Sequence, residues 1–503
     1  MSYSSYRKYY TFAFAMVVIT NLLVTGCINA PVTPDDTIKT YPVLSPDYTG
    51  ATFPSNIAPP NFVIKEDGEA FSVEFGTDGH TLFSYTIDVP EVIIKERDWH
   101  KLQKAAAGKT FFIRITVLRN EKWLRFADVT NTMSDKAIDG FLVYRLLYPG
   151  YELWNEMGIY QRDLTSYDET PLIENKELEK GCVNCHTFSR NSPENMMIHV
   201  RGKLGGTIIK HGDKLTKVNV KGEGMPNGGA YAAYHPSGKY IAFSANEIQQ
   251  FFHSTGSKAI EVSDLESDLL VYDVEKNQII TDSVISGSHF METFPNWSPD
   301  GSQLYFCRAA AYVKGMPLDS IRYDLFRIAF DQDTQHFGKP ECVYNASSKG
   351  KSVSFPRVSP DGNYLMFTQS DYGNFSIWHP ESDLCLITLS TGKMRIMDEV
   401  NSNNVESYHT WSSTGEWFVF SSKRQDGLWA RPFIARFDSK TGKAGKPFVL
   451  PQRDPEFYDN FTKTFNLPEL IIRPVKDGNS FVREARNNPK QVNRELNKFM
   501  SIQ

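Results

Sequence analysis

The sequence predicts a mostly β fold, an N-terminal β-sandwich followed by a β-propeller of about six blades, and three observations carry that expectation. A ten-residue segment recurs four times without gaps in the second half of the chain. Short runs that alternate apolar and polar residues fill the first half. Aromatic residues make up 13% of a chain with 33 Gly and 27 Pro, a balance that favours short strands and tight turns. At 503 residues there is room for two or three domains. The 54 basic and 59 acidic residues are spread along the chain without a basic tract, which argues against nucleic acid as a partner.

Arg7 and Lys8 precede an apolar run from Thr11 to Val24 that is short for a membrane span and ends in small residues, the pattern of a signal peptide over 1–26. Val24-Thr25-Gly26-Cys27 resembles the bacterial lipobox. That resemblance implies a diacylglycerol thioether on Cys27, with the acyl chains as a membrane anchor. By resemblance to lipoprotein sorting signals, the lack of an acidic cluster after Cys27 implies an outer-membrane position facing the periplasm, the cell surface being the other option. An ordinary secretory signal with a chance cysteine is the plainer alternative. Residues 27–45, rich in Pro and polar groups, are expected to be a tether. Strands such as Phe71-Ser72-Val73-Glu74-Phe75 and Phe111-Phe112-Ile113-Arg114-Ile115 then build the expected sandwich over 46–165, with a helix from Trp99 to Ala107 stopped by Gly108.

The repeat begins at Tyr234-His235-Pro236-Ser237-Gly238 and returns at Trp297-Ser298-Pro299-Asp300-Gly301, Val358-Ser359-Pro360-Asp361-Gly362 and Trp411-Ser412-Ser413-Thr414-Gly415, each followed by an apolar strand. The turn glycines lie 63, 61 and 53 residues apart, room for a four-stranded blade with loop insertions. Pro presets φ, Asp bonds the turn backbone and Gly supplies positive φ, so the chain reverses between two strands. These segments resemble those of TolB-like periplasmic propellers, over roughly 196–475. The resemblance implies an interaction platform whose propeller face binds a protein or a polysaccharide. Residues 476–503 are expected to be a C-terminal tail.

Cys182-Val183-Asn184-Cys185-His186 is the most specific chemical motif, placed in an expected c-haem attachment segment over 166–195. Two thiols at this spacing can add to the two vinyl groups of one haem while His186 coordinates the iron, so a covalent c-type haem is the expected cofactor. The plainer alternative in an oxidising periplasm is a Cys182–Cys185 disulfide. A thioredoxin-like pair would want a βαβ setting, and zinc would want two further ligands. For the sixth iron ligand the candidates are His199 and Met197, which a strand would place on one face, and Met196, which it would place on the other; a five-coordinate iron is the remaining option. Membership of a small helical cytochrome domain is excluded by the length of the segment.

Cys307, Cys342 and Cys385 are single and expected to be buried apolar residues. Glu261, Asp264, Glu266 and Asp268 read as a solvated loop or, more sharply, as a cation or sugar site; Phe251, Phe252 and His253 are candidates to line a funnel. No Gly-x-Ser-x-Gly elbow occurs, and no catalytic residue is assigned. Three functions follow: haem-linked redox chemistry or electron transfer, a non-enzymatic scaffold, and a glycan-active enzyme, which would need carboxylates converging in the central channel.

Overall fold

Six sheets of four or five strands, mostly antiparallel and counted among the described residues, follow one another in space as the blades of a closed ring. The computed structural model describes residues 32–149, 155–221, 227–254, 258, 260–476 and 478–493. The proposed signal peptide and Cys27 lie outside them. Blade 2 runs from the inner strand Cys182–Ser189 through Ser192–Arg201 and Gly206–His211 to Lys214–Asn219. Blades 3, 4, 5 and 6 start at the inner strands Ala230–Tyr234, Phe290–Trp297, Ser352–Val358 and Glu406–Trp411. Blade 1 is composite: Phe141–Leu147, Met157–Asp163 and Glu169–Glu174 supply the outer three strands, and Thr464–Ile471, from the far end of the chain, supplies the innermost. That exchange locks the ring, because the first and last blade segments share one ladder of backbone hydrogen bonds.

The propeller therefore starts at Phe141 and not at 196, and the expected sandwich and haem-segment boundaries are corrected accordingly. Residues 141–174 read equally well as sandwich strands, since period-two alternation is common to both. The N-terminal unit is a seven-stranded sheet with a three-stranded sheet and the helix Glu96–Ala105, whose Trp99 and Leu102 are buried. Its core is continuous with that of blades 5 and 6; the rings of Phe53 and Phe448 are 4.7 Å apart. The expected tether is only partly loose: Asp36–Thr37 and Leu44–Ser45 pair with strands of the N-terminal unit. The C-terminal tail is likewise structured, with a helix Gly478–Ala485 and a short strand Lys490–Gln491 that pairs with the outer edge of blade 2.

The repeated turns behave as their chemistry requires. Gly238, Gly301, Gly362 and Gly415 all sit at φ between 69° and 77°. At Gly301 the requirement is also steric, since a Cβ there would lie 2.1 Å from His235 Nε2 of the preceding blade. Ser298 and Ser359 each donate to the Asp two residues on, at 2.5 Å. At the opposite end, the strands Tyr240–Phe252 and Ile260–Asp273 of blade 3 extend as a long hairpin. Its Lys258 ammonium reaches blade 5, 3.1 Å from both His379 Nδ1 and Glu381 Oε1 and 4.1 Å above the Tyr372 ring. Ile260 and Val262 pack with Phe375 and Ile377 in the same apolar cluster, so this hairpin covers one mouth of the ring. No helix among the described residues is long and apolar enough to cross a membrane.

Candidate functional site

Aligning the inner strands on the turns brings six four-residue segments into register: Cys185-His186-Thr187-Phe188, Tyr231-Ala232-Ala233-Tyr234, Phe294-Pro295-Asn296-Trp297, Phe355-Pro356-Arg357-Val358, Tyr408-His409-Thr410-Trp411 and Leu467-Pro468-Glu469-Leu470. The first residue of five of them has φ between 45° and 53°, at a β-bulge where two residues oppose one. Bulky side chains rarely adopt that conformation, and here it turns four aromatic rings and a leucine toward the axis. Tyr231, Phe294, Phe355 and Tyr408 touch in sequence, at 5.1, 4.0 and 4.9 Å between ring centroids, and plug the middle of the channel.

The third residue of each segment, beyond this plug, lines a funnel of ≈ 450 Å³ that opens at the Ser-Pro-Asp-Gly end of the ring. Its floor is thus a ring of Thr187, Ala233, Asn296, Arg357, Thr410 and Glu469. Arg357 and Glu469 flank Thr410 and are both half-buried. The Arg357 guanidinium donates to Pro356 O at 3.0 Å and, among the described residues, to no other acceptor. The Glu469 carboxylate accepts from Thr187 Oγ1 at 3.4 Å and from the Phe188 amide at 3.3 Å. Burial raises the Glu469 pKa to about 7, against the opposing pull of Arg357, while burial lowers the pKa of Arg357. Around the wall, Trp297 and Trp411 donate their indole N–H to Ala233 O and Arg357 O at 3.2 and 3.0 Å. The wall is therefore set, while the charged floor keeps free donors.

The CxxCH residues lie in the inner strand of blade 2, below the funnel and not on its surface. Cys182 packs into the cluster shared with blade 1, and Cys185 into the one shared with blade 3. Both thiols are free, so the disulfide alternative is not formed here. His186 is 3% exposed, and neither ring nitrogen makes a hydrogen bond of ordinary geometry. Burial first, then the Arg145 guanidinium, lower its pKa to about 3, with backbone groups of Val143 and Leu467 of blade 1 acting weakly the other way. His199 is the cross-strand neighbour of Cys185, held by Thr207 Oγ1 at 3.0 Å, and Met197 shares Cys185's cluster. Both therefore face blade 3, whereas His186 faces blade 1 and Met196 lies on that same side. The sheet separates His186 from His199 and Met197 and leaves only Met196 on its side, and a haem attached at Cys182 and Cys185 would have to bridge two packed cores. As folded, these residues do not fit the group. Among the described residues no three His, Cys, Asp or Glu side chains gather to hold a metal ion.

The remaining candidates resolve as follows. Cys307 and Cys385 are buried, but Cys342 is exposed, because its strand is the outer edge of blade 4. Glu261 to Asp268 form a strand and not a loop. Within it Asp264 is buried and accepts from Asn246 at 3.0 Å, Asn374 at 2.5 Å and Tyr323 at 3.1 Å. Phe251, Phe252 and His253 belong to the long hairpin of the opposite mouth, and His253 contacts Glu261 at 3.2 Å. Among the described residues lining the funnel, Glu469 is the one carboxylate, where acid–base glycoside hydrolysis uses two. Arg357 stands one residue before the repeated segment that starts at Val358, and Glu469 lies in a strand with no Ser-Pro-Asp-Gly turn after it, so the repeat marks neither of them.

No family model matches the chain, and no curated protein matches it. Solved structures similar to it include TolB from Acinetobacter baumannii, at 12% identity over 75% of this chain and 85% of that one, with a TM-score of 0.41. An auxiliary nutrient binding protein from Bacteroides thetaiotaomicron shares 13% identity over 81% and 98%, with a TM-score of 0.33. Hydrazine synthase from Kuenenia stuttgartiensis shares 16% identity over 52% and 64%, with a TM-score of 0.31. These likenesses are loose, and the propeller is read from its own strand order.

Proposed function

We propose that this chain is a non-enzymatic binding protein of the bacterial envelope, carried to the membrane by lipid on Cys27, whose propeller funnel holds its ligand. The observation that carries the reading is the ≈ 450 Å³ funnel with a charged, incompletely paired floor, within the size range of small-molecule and saccharide pockets. At the opposite mouth the described residues of the blade 3 hairpin cross to blade 5. The signal-peptide and lipobox patterns support the envelope position. Screening the full chain against arrays of glycans and peptides, beside a Thr410→Trp variant that fills the funnel, tests the binding function. A ligand held by wild type and lost from Thr410→Trp, with the melting temperature of the two alike, supports it; ligands indifferent to the substitution contradict it.

Covalent haem is the second reading, favoured by the Cys182-x-x-Cys185-His186 spacing and by two free thiols beside an unpartnered imidazole. It requires segment 182–186 to leave the inner edge of blade 2. Haem, if attached, would bring redox chemistry. A pyridine haemochrome spectrum on protein from a host with cytochrome c maturation decides between the two.

A further inference from the structure

The buried charges of this propeller differ in how far the protein itself pairs them. Near the covered mouth, Glu292 meets Arg308 at 2.9 Å, Glu406 meets Arg424 at 2.9 Å, and Asp264 has its three donors. Glu406 and Asp264 are satisfied by the protein itself, and Glu292 is paired at one oxygen while its Oε2 is left without a hydrogen-bond partner. The funnel floor is different. Arg357 and Glu469 sense one another electrostatically but form no ion pair within 4 Å, and among the described residues Arg357 makes only the bond to Pro356 O. A guanidinium has five N–H donors in a planar fork that matches a carboxylate. Most of that fork faces the open funnel, free of protein acceptors and available to a ligand carboxylate.

We propose that the funnel floor binds a carboxylated sugar, with the Arg357 fork on the carboxylate and Glu469 accepting from a neighbouring hydroxyl. This rests on the funnel being the binding site, and names the ligand's class. The floor sets one cation beside one carboxyl group, and Arg190 stands on the funnel wall, an arrangement that fits a ligand carrying a carboxylate with hydroxyl donors close by. Apart from Ala233 the remainder of the floor is hydroxyl and amide: Thr187, Asn296 and Thr410 stand at ring positions around the two charges. Such a lining suits a polyhydroxylated ring better than a peptide, which would look for an open strand edge or apolar pockets.

The test is calorimetric titration of the full chain with D-glucuronate, its methyl ester and D-glucose, repeated on Arg357→Gln and Glu469→Gln. Glucuronate is expected to bind saturably. The ester, glucose and the Arg357→Gln variant are each expected to be weaker by roughly 10- to 100-fold, the worth of charge-assisted hydrogen bonds. Glu469→Gln is expected to lose less than Arg357→Gln. The ester arm uses wild-type protein and so holds even where a variant folds poorly. No binding of glucuronate, equal binding of acid and ester, or tight binding of an N-acetyl tripeptide acid in its place would overturn the proposal. A neutral glycan bound by wild type and lost from Thr410→Trp would overturn it while leaving the funnel reading intact.

Discussion

Blades 2 and 6 carry nearly the same inner-strand chemistry, Cys185-His186-Thr187-Phe188 against Tyr408-His409-Thr410-Trp411, and differ in how the backbone presents it. His409, like His186, is buried with neither ring nitrogen in a hydrogen bond of ordinary geometry, and burial lowers its pKa to about 3 as well, with backbone groups of Met366 and Phe355 acting the other way. In blade 6 the bulge lies at Tyr408 and His409, φ at Tyr408 is 50°, and the tyrosine joins the aromatic plug. In blade 2 the bulge falls earlier, at Asn184, and Cys185 pairs in register with His199. The Arg145 guanidinium donates to the carbonyl that this shift frees, that of Asn184. A motif defined by the spacing of reactive residues therefore looks different inside a repeat. The histidine of CxxCH occupies a position that a blade without cysteines also fills with histidine.

The comparison can be broken most forcefully at the plug. Phe355→Ala removes a ring that touches both Phe294 and Tyr408, and is expected to cost about 3–5 kcal/mol, whereas Cys185→Ala, at the corresponding place outside the plug, is expected to cost about 1 kcal/mol. Urea midpoints of the two variants measure the contrast. Equal losses would show that Cys185 is part of the plug after all.

Acid provides the next largest effect. The folded chain holds both imidazoles neutral down to about pH 3, while in the unfolded chain they take up protons below about pH 6.5. Stability is therefore full above pH 6.5 and falls as the pH drops toward 3, each imidazole contributing a loss of about 2 kcal/mol by pH 5. His186→Leu and His409→Leu are each expected to remove one such share, measured as the difference in unfolding free energy between pH 8 and pH 5. A His186→Leu variant with the acid dependence of wild type would mean that this imidazole is not a buried neutral group.

Much of the fold was legible. The Ser-Pro-Asp-Gly turns marked blades 3 to 6, because local turn chemistry repeats with them, and the alternation in 196–199 correctly set Met197 and His199 on one face with Met196 on the other. Only the inner strand of blade 2, Cys182–Ser189, stayed hidden, because its hairpin turns at Arg190 and Asn191, both with positive φ, and not at a Ser-Pro-Asp-Gly segment. The outer strands of blade 1 stayed hidden because their ladder joins Phe141–Leu147 to Thr464–Ile471, a pairing that no local pattern announces. Arg357 and Glu469 meet only once that ring is closed, which is why single residues in unremarkable strands gave no sign of a shared floor.

The placement of Cys182–His186 inside the ring is tested most directly by a pyridine haemochrome spectrum with intact mass, taken on protein matured in a host that attaches c-type haem. A closed blade 2 predicts an unmodified mass between Asp35 and the C-terminus and no haemochrome band. A haem mass that disappears in Cys182→Ala and Cys185→Ala would contradict it, and would require the inner strand of blade 2 to open.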